Sequence, residues 1–347
     1  MRRLFLSCLT AAFCVFAAPA APAQNYYNQD YNQGGGRNYG QDYGFSGWLQ
    51  GFRQRAADRG FNPAWLNQIL SGVEFKPRVI ELDNRQPEHK ITFAQYRKNI
   101  VSPARVRDGR ARLAQNRALL ERVARAYGVA PQYIVALWGI ETNFGRNTGG
   151  FDILSALATL AYEGRRASFF EGELLNALRI QAGGHAGTGT LTGSWAGAMG
   201  QCQFMPSSYL KYAVDGDGDG TANIWDSLPD VFASMANYLH SVGWDGDLRW
   251  GRAVTLPKGM SAASIGRENR HPLSYWRKKN IRTENGDILP KPADGADPMA
   301  AIVAPDGPGG PAYLVYGNYD VIMHWNRSTY FATSVGLLAD AIAAGSR

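Results

Sequence analysis

One glutamate stands where a general acid could work. Glu141 closes the apolar segment PQYIVALWGIET, and a loop rich in Asn, Gly and Thr follows it. Pro131 suits the first turn of a helix. On that helix Glu141 shares a face with large apolar side chains spaced at i, i+3, i+4 and i+7. These are Ile134, Leu137 and Trp138.

Two effects raise the expected pKa of Glu141. Apolar neighbours desolvate the carboxylate, and the negative end of the helix dipole disfavours it further. A carboxyl group that stays protonated near neutral pH is what a general acid needs in order to cleave a glycosidic bond. The pattern alone leaves an alternative open, in which Glu141 lies at the edge of the apolar stripe and pairs with an arginine.

A second candidate segment is GSWAGAMGQCQFMPSS, residues 193–208. Glycines let the backbone approach a ligand closely, and glutamine side chains offer both a donor and an acceptor to the acetamido and hydroxyl groups of a sugar. The alternative is a Gly-rich turn that only leads into a helix at Pro206.

A third candidate is DGDGDGTANIWD, which has the twelve-residue spacing of an EF-hand loop. Positions 1, 3, 5, 6, 7, 9 and 12 are held by Asp215, Asp217, Asp219, Gly220, Thr221, Asn223 and Asp226. Position 12 is Asp, one methylene shorter than the usual Glu, so bidentate coordination is weakened. The spacing predicts a structural Ca²⁺ or Na⁺ site with Asp215, Asp217, Asp219, Thr221 and Asp226 as ligands. An Asp-Gly turn with Asp226 capping the next helix is the alternative.

The first 44 residues differ from the rest. Residues 1–23 have a basic start, a short apolar run and a small-residue cleavage site, which predicts a secretory signal peptide cut after Ala23. A retained anchor and lipid attachment at Cys8 are alternatives. Removal of this segment leaves Cys202 as the only cysteine, so no intramolecular disulfide or cysteine metal cluster can form. Residues 24–44 are rich in Asn, Gln, Tyr and Gly, which predicts a disordered tether.

The net charge indicates which kinds of molecule the protein is expected to bind. The full chain has 36 basic and 29 acidic residues, a net charge of +7, and loss of Arg2 and Arg3 leaves 34 against 29, or +5. This excess suits a polyanionic surface such as a cell-wall polymer. The sequence has no basic stripe interleaved with aromatic residues and no zinc-finger spacing, so nucleic acid is not an expected partner.

Helical patterns run through most of residues 45–345 and predict a mainly α (α+β) fold. One continuous helix is expected over RVRDGRARLAQNRALLERVARAYG, residues 105–128. Prolines and glycines multiply over residues 256–317, where AAIVAP and AYLVY read as strands, so this region is predicted to be a small β-containing insertion. A helix is expected again near Tyr330.

Several segments together resemble one family. WGIETNFG is similar to the catalytic-glutamate signature of the lytic murein transglycosylases, specifically their B family of soluble or membrane-bound forms. VIELDNRQPEHKITFAQY, GSWAGAMGQCQFMPSSYLKYAVDGDGDG and NYDVIMHWNRSTYFATSV extend the resemblance over nearly all of residues 45–344. The family cleaves the β-1,4 bond between N-acetylmuramic acid and N-acetylglucosamine in peptidoglycan without water, leaving a 1,6-anhydro ring.

The resemblance implies a lysozyme-like catalytic core from residues 116–255 and 318–345, with residues 45–115 as an N-terminal helical part. It implies that Glu141 first protonates the leaving oxygen and then, as a carboxylate, deprotonates the O6 hydroxyl. No cofactor is expected for catalysis, although the family includes a structural ion loop. Sugar contacts are implied for Ser194, Gln203, Phe204, Tyr238 and Asn326, with Gln201 a weaker candidate.

The sequence departs from the family at two aromatic positions. Trp325 stands where the family often has Tyr, and Phe331 replaces another Tyr, so hydroxyl hydrogen bonds would be lost there. Tyr238 on a helix could equally be a core residue. Arg165 and Arg166 could meet a peptide carboxylate or simply form a solvated helix end.

The resemblance implies an exported, periplasmic monomer, soluble after signal cleavage, that binds peptidoglycan strands and has cell-wall synthesis or remodelling proteins as candidate partners. Two alternatives remain: a lysozyme-type muramidase that uses water, and a wall-binding protein without activity. A calcium sensor is disfavoured, because a single loop has no second loop to pair with.

Overall fold

The computed structural model describes residues 39–84, 91–184, 191–291 and 295–345, with side chains from residue 44 onward. The predicted signal peptide and most of the predicted tether lie outside these residues. The fold is mainly helical with two small sheets, as the sequence predicted. None of the helices in the described ranges is long and apolar enough to cross a membrane.

Six helices form the N-terminal part of the described chain. They are α1 (Tyr39–Ala57), α2 (Pro63–Ile69), α3 (Pro77–Asn84), α4 (Phe93–Ile100), α5 (Pro103–Gln115) and α6 (Arg117–Tyr127). Polar caps set several starts: Asn62 accepts from the Trp65 amide and Ser102 from the Arg105 amide, and a proline follows each cap.

Two predictions for this part of the chain differ from the structure. The helix predicted over residues 105–128 is broken at Asn116, which leaves the helical conformation with φ −107° and ψ 16°. Its side-chain amide and its backbone N–H both donate to the Arg112 carbonyl and close the end of α5. The predicted tether also ends early, because α1 already begins at Tyr39. Each further residue added to a packed helix gains a backbone hydrogen bond, so α1 extends beyond its apolar face.

Five further helices and the first small sheet follow along the chain. They are α7 (Pro131–Thr142), β1 (Phe151–Asp152), α8 (Ile153–Glu163), α9 (Ala167–Gly183), β2 (Thr192–Gly193), α10 (Pro206–Tyr212) and α11 (Leu228–Ser241). β1 and β2 pair antiparallel. The central helix is α7, which contacts α5, α6, α11 and the last helix of the chain.

A five-stranded antiparallel sheet follows. Its parts are β3 (Gly251–Thr255), β4 (Gly266–Pro272), α12 (Leu273–Lys278), β5 (Arg282–Thr283), β6 (Met299–Val303) and β7 (Ala312–Val315). The strand order is β4-β6-β7-β3-β5. The sheet thus begins at Gly251, five residues before the predicted insertion, and β6 and β7 occupy the two segments predicted as strands.

The two faces of this sheet pack against two different apolar clusters. Ile302 and Leu314 point toward the Trp276 side, into a small apolar cluster with α12, whereas Val303 and Val315 pack into the main core. Both faces of β6 and β7 are therefore buried, and the sheet packs as part of the main body of the protein.

Two helices close the chain, α13 (Gly317–Trp325) and α14 (Thr329–Ala343). α13 was not predicted, because helix was expected only from about Tyr330. One carboxylate links three parts of the fold: Asp306, in the loop after β6, accepts from the backbone amides of Phe93 (2.5 Å) and Ala94 (3.1 Å) and from the Tyr330 hydroxyl (3.2 Å).

Candidate active site

The helix that carries Glu141 is buried on every side. All ten residues from 133 to 142 are buried, so the apolar face inferred from the spacing is only part of a helix surrounded by others. Because no side of α7 faces bulk water, a carboxyl group at its end meets solvent only where the packing leaves an opening.

The chain turns sharply after this helix. Asn143, Phe144 and Gly145 have φ values of 50°, 61° and 79°, three successive residues in the left-handed region. Glycine is required at the third, because a Cβ there would lie 2.3 Å from Oε1 of Gln201. The Thr142 hydroxyl accepts from the Gly145 amide and fixes the turn. This reversal holds the end of α7 in a single arrangement.

The Glu141 side chain is only 6% exposed, and its two oxygens differ. Oε1 accepts a 2.7 Å hydrogen bond from the indole N–H of Trp325, whereas Oε2 is buried without a hydrogen-bond partner among the described residues. Burial raises the pKa of Glu141 to about 8, although the Trp325 hydrogen bond lowers it. No arginine pairs with Glu141 within the described ranges, so the ion-pair alternative does not hold there.

Trp325 is the outermost ring of an aromatic cluster. Its ring centroid lies 5.3 Å from that of Phe204 and 4.7 Å from that of Tyr238, and both of these rings are buried. The Tyr238 hydroxyl donates to the His324 carbonyl and also lies 2.9 Å from the ring nitrogen Nδ1 of His324. Phe204 and Tyr238 therefore support the indole from behind, while Trp325 itself is half-buried.

The Gly-Gln segment folds back beside this cluster. Ser194 and Ala198 exchange two hydrogen bonds, one of them through the serine hydroxyl, and Met199 pairs with Phe204. Gln203 adopts a φ of 52°, and its amide nitrogen donates to the carbonyls of Thr148 and Gly200. Gln203 thus links this segment to the loop after Glu141, and its side chain is half-buried.

Gln201, the weaker candidate, is used inside the protein. Its Oε1 accepts from the Trp138 indole at 2.8 Å and its Nε2 donates to the Trp225 carbonyl at 2.7 Å. Both polar atoms of the amide are therefore engaged, and the side chain ties the Gly-Gln segment to α7.

The last sequence-predicted positions lie deeper. Asn326 is 4% exposed, and its Oδ1 accepts from the Ser328 amide. Phe331 is fully buried at the start of α14. Arg165 and Arg166 both bind the buried carboxylate of Asp83, so a structural ion pair occupies the guanidinium groups considered for a peptide carboxylate.

Sequence reasoning missed two residues that interact with Glu141, one by a hydrogen bond and one through its charge. The Trp325 indole lies 184 residues away along the chain, and only the departure from Tyr at that position marked it. Tyr96 on α4 is the other: burial and then the charge of Glu141 raise its pKa. No local pattern connects Tyr96 with residue 141.

The aspartate-rich loop is exposed and rich in hydrogen bonds. Asp215 accepts from the amides of Gly218, Asp219 and Gly220, and these bonds lower its pKa. Asp217 accepts from Ser227. Ser227, and not Asp226, caps α11, since its hydroxyl accepts from the Asp230 amide. The alternative with Asp226 as the helix cap is therefore wrong.

The carboxylates that come together here differ from the predicted set. Oxygens of Asp215 and Asp217 converge with one from the fully buried Asp230, all within 4.8 Å of one another. An all-oxygen set of this kind suits a hard cation such as Ca²⁺. Asp219 and Asp226 do not belong to this group of three, and Asp219 instead accepts from the Thr221 amide and hydroxyl.

Comparison with known proteins gives a consistent result. The sequence profile of the transglycosylase SLT domain family matches residues 44–340. The membrane-bound lytic murein transglycosylase B of Escherichia coli K12 is 35% identical over 301 residues, covering 82% of this chain and 79% of that protein.

Solved structures agree with the sequence comparison. SltB3 from Pseudomonas aeruginosa, in complex with NAG-anhNAM-pentapeptide, superposes with a TM-score of 0.82 at 40% identity, covering 87% of this chain and 80% of that one. The Escherichia coli lytic transglycosylase Slt35 in complex with calcium gives a TM-score of 0.72 at 32% identity, covering 89% and 95%. The chain therefore belongs to the transglycosylase SLT domain family and is a lytic murein transglycosylase, an enzyme that acts on peptidoglycan.

Proposed function

We propose that Glu141 performs both proton transfers of the transglycosylase reaction. The supporting observation is the asymmetry of its carboxyl group. Oε1 is held by the Trp325 N–H and can only accept there, so the proton of the neutral acid resides on Oε2, the oxygen without a partner. With a pKa raised to about 8, the group carries that proton at neutral pH.

The first step breaks the glycosidic bond. The Oε2 proton passes to the oxygen that links C1 of N-acetylmuramic acid to N-acetylglucosamine. The bonding electrons leave with that oxygen, and positive charge develops at C1. The acetamido group of the same sugar stabilises this charge. Glu141 is then a carboxylate, which the Trp325 hydrogen bond stabilises.

The second step closes the anhydro ring. The Glu141 carboxylate removes the proton from the O6 hydroxyl of the muramic sugar, O6 bonds to C1, and Glu141 returns to its protonated form. No water is consumed, so one titratable group whose pKa lies near the working pH serves as acid and as base. A hydrolase would normally need a second carboxyl group.

Around Glu141, we propose that Ser194, Gln203, Phe204, Tyr238 and Asn326 form the sugar site. Because the Gln203 amide nitrogen already donates to Thr148 and Gly200, its Oε1 is the atom available to a sugar donor. Tyr238 and Phe204 act through Trp325, whose half-exposed ring is the aromatic surface offered to the substrate.

Mass spectrometry of muropeptides released from purified peptidoglycan tests the reaction. The expected products end in 1,6-anhydromuramic acid. Products with only reducing muramic ends would establish the water-using muramidase, and failure to release any product would establish the inactive wall-binding protein.

We further propose that the aspartate-rich loop binds Ca²⁺ as a structural ion. Asp215, Asp217 and Asp230 would supply carboxylate oxygens, and the predicted ligands Asp219, Thr221 and Asp226 would complete the shell after a local rearrangement. The ion would fix the start of α11, and catalysis would not use it. The calcium complex of Slt35 supports this choice of cation.

We also propose export to the periplasm with cleavage after Ala23. Action on peptidoglycan requires a location outside the cytoplasm, which supports this proposal. Intact mass measurement of the protein purified from its native host would find a chain that begins at Gln24. A mass that still includes residues 1–23 would establish the retained anchor.

A further inference from the structure

The net charge of the protein is concentrated in one short segment. Residues 97–125 contain nine basic and two acidic residues, whereas the rest of the chain holds 27 of each sign. The whole formal charge of +7 therefore comes from fewer than a tenth of the residues. An even distribution would serve solubility equally well, so this concentration points to an anionic partner.

The fold presents these side chains to solvent. They come from the end of α4 and from α5 and α6, and seven of them are exposed. Arg97 is hydrogen-bonded to Tyr313, and the other six are Lys98, Arg107, Arg110, Arg117, Arg122 and Arg125. We call these six the basic surface. Its two ion pairs in the described ranges are long, 3.6 Å from Arg107 to Asp108 and 3.7 Å from Arg117 to Glu121. Exposed pairs at such distances neutralise little.

The same helices pack directly on the catalytic helix. The inner side of α5 is so close to the Glu141 loop that a Cβ on Gly109 would lie 3.5 Å from the Phe144 ring and 2.6 Å from Ile342. Asp108 forms a 3.2 Å ion pair with Arg146, five residues after Glu141. The basic surface is therefore held rigidly relative to the active site.

The basic surface lacks the apolar residues that a membrane-binding face needs. Large exposed apolar side chains in the described ranges are Ile91, Phe169, Leu210, Ile288 and Met299, and all of them lie outside residues 97–125. Helices that lie on a bilayer combine basic residues with apolar side chains that insert between the lipids. A hydrated polyanion is the better fit.

We propose that the basic surface binds the carboxylates of peptide stems on peptidoglycan strands beside the one that Glu141 cleaves. This inference rests on the proposed function. The planar guanidinium groups of five arginines match carboxylate geometry, and several weak contacts on one polymer add up. The surface would hold the enzyme on the peptide-bearing network, so its effect depends on the stems and not on the glycan alone.

The test measures binding without cleavage. Glu141→Gln protein is mixed with purified sacculi freed of other attached polymers, and the sedimented fraction is followed as salt increases. Adding Arg107→Gln, Arg122→Gln and Arg125→Gln is expected to weaken binding on the order of tenfold at low salt. The difference should vanish near 1 M salt, where screening acts over about 3 Å.

Three controls make the result specific. Lys258→Gln, Lys278→Gln and Lys291→Gln remove the same charge from exposed positions around the five-stranded sheet and should leave binding unchanged. Chitin, an uncharged polymer of N-acetylglucosamine that has neither peptide nor lactyl carboxylates, should bind both proteins equally. Circular dichroism and the melting temperature check that the arginine variant is folded. Lys98→Gln with Arg110→Gln provides a second variant on the same surface.

Equal sedimentation of the arginine variants and their parent would overturn the proposal. So would an equal loss of binding to chitin, or a loss of binding to anionic lipid vesicles with sacculus binding intact. Product analysis is a separate measurement. A failure of the proposed reaction would therefore appear in the released muropeptides and leave the binding comparison readable.

Discussion

Two regions of this enzyme carry carboxyl groups with opposite surroundings. Glu141 is buried at the end of α7, with one oxygen bound to an indole N–H and the other without a partner, and its pKa is raised to about 8. Asp215 is exposed and accepts from several backbone amides, which lower its pKa. Burial keeps a proton on the first group, and donated hydrogen bonds keep the second ionised.

Burial alone does not distinguish Glu141 from other carboxyl groups of the protein. Glu173 on α9 is 5% exposed, close to the 6% of Glu141, and its pKa is also raised by burial. However, both of its oxygens bind Ser207, one the hydroxyl and one the amide. Glu173 is thus buried with both oxygens hydrogen-bonded, whereas Glu141 is buried with one oxygen that has no partner among the described residues.

The largest effect is expected for Glu141→Gln. The amide cannot give up or accept the catalytic proton, so release of anhydromuropeptides should fall by roughly 10³-fold or more. Mass spectrometry with an internal standard measures the rate. A residual rate within tenfold of the parent enzyme would remove Glu141 from the chemistry.

The same substitution should stabilise the protein as pH rises. In the folded enzyme Glu141 keeps its proton up to about pH 8, whereas in the unfolded chain it titrates near about pH 4.3. Its contribution to the free energy of unfolding is therefore complete below about pH 4 and is lost as pH rises toward 8. The melting temperature of Glu141→Gln should exceed the parent value by roughly 5 °C at pH 8. A difference that shrinks as pH rises would contradict this.

Trp325→Phe should have the next largest effect. It removes the hydrogen bond that lowers the pKa of Glu141, so the carboxylate becomes a less favourable intermediate state. We expect kcat to fall about tenfold and the alkaline limb of the pH–rate profile to move to higher pH. Trp325→Tyr, which keeps a donor and an aromatic ring, is the matched comparison. An unshifted profile for the Phe variant would show that the indole does not act on Glu141.

Glu173→Gln is the matched comparison for Glu141→Gln, because Glu173 is equally buried but lies outside the proposed sugar site. One of the two hydrogen bonds to Ser207 would be lost, at a cost of about 1 kcal/mol, so the melting temperature should fall by roughly 2–4 °C. Activity at a temperature where both proteins are folded should change by less than about twofold. A loss approaching that of Glu141→Gln would show that burial, rather than the oxygen without a partner, marks the functional carboxyl group.

The smallest expected effect concerns the exposed aspartates. Ca²⁺ should raise the melting temperature of the parent protein by a few degrees, about 2–4 °C, because a ligand that binds only the folded state stabilises it. Asp217→Asn should abolish that increase, and Asp226→Asn should reduce it only in part, because Asp226 lies outside the group of three convergent carboxylates. An equal response of all three proteins to Ca²⁺ and to a chelator would argue against a site in this loop.

The sequence could predict those features whose residues lie close together along the chain. The helix that ends at Glu141, its apolar surroundings and the mainly α fold come from spacings within a dozen residues. The membership of Asp230 in the acidic group does not, because Asp230 lies beyond the twelve-residue window and is brought back by α11.

Other features depended on distant packing. The Trp325–Glu141 hydrogen bond joins α13 to α7, and β1 pairs with β2 although each has only two residues. The break at Asn116 was missed because the apolar pattern continues through it, whereas only this one residue leaves the helical conformation. Helices could be predicted where apolar residues recur at helical spacing along the chain. Contacts between residues that are far apart in sequence could not.

The three hydrogen bonds that Asp306 accepts have a consequence for how this enzyme could be divided. They come from the first turn of α4 and from Tyr330 on α14. The loop after β6 therefore connects two helices that are far apart in sequence. A shortened enzyme without the five-stranded sheet would leave the first amides of α4 without this acceptor. α4 also carries Tyr96, whose pKa is raised by burial and then by the charge of Glu141. Attempts to build a minimal murein-cutting fragment should therefore retain the sheet as part of the catalytic body.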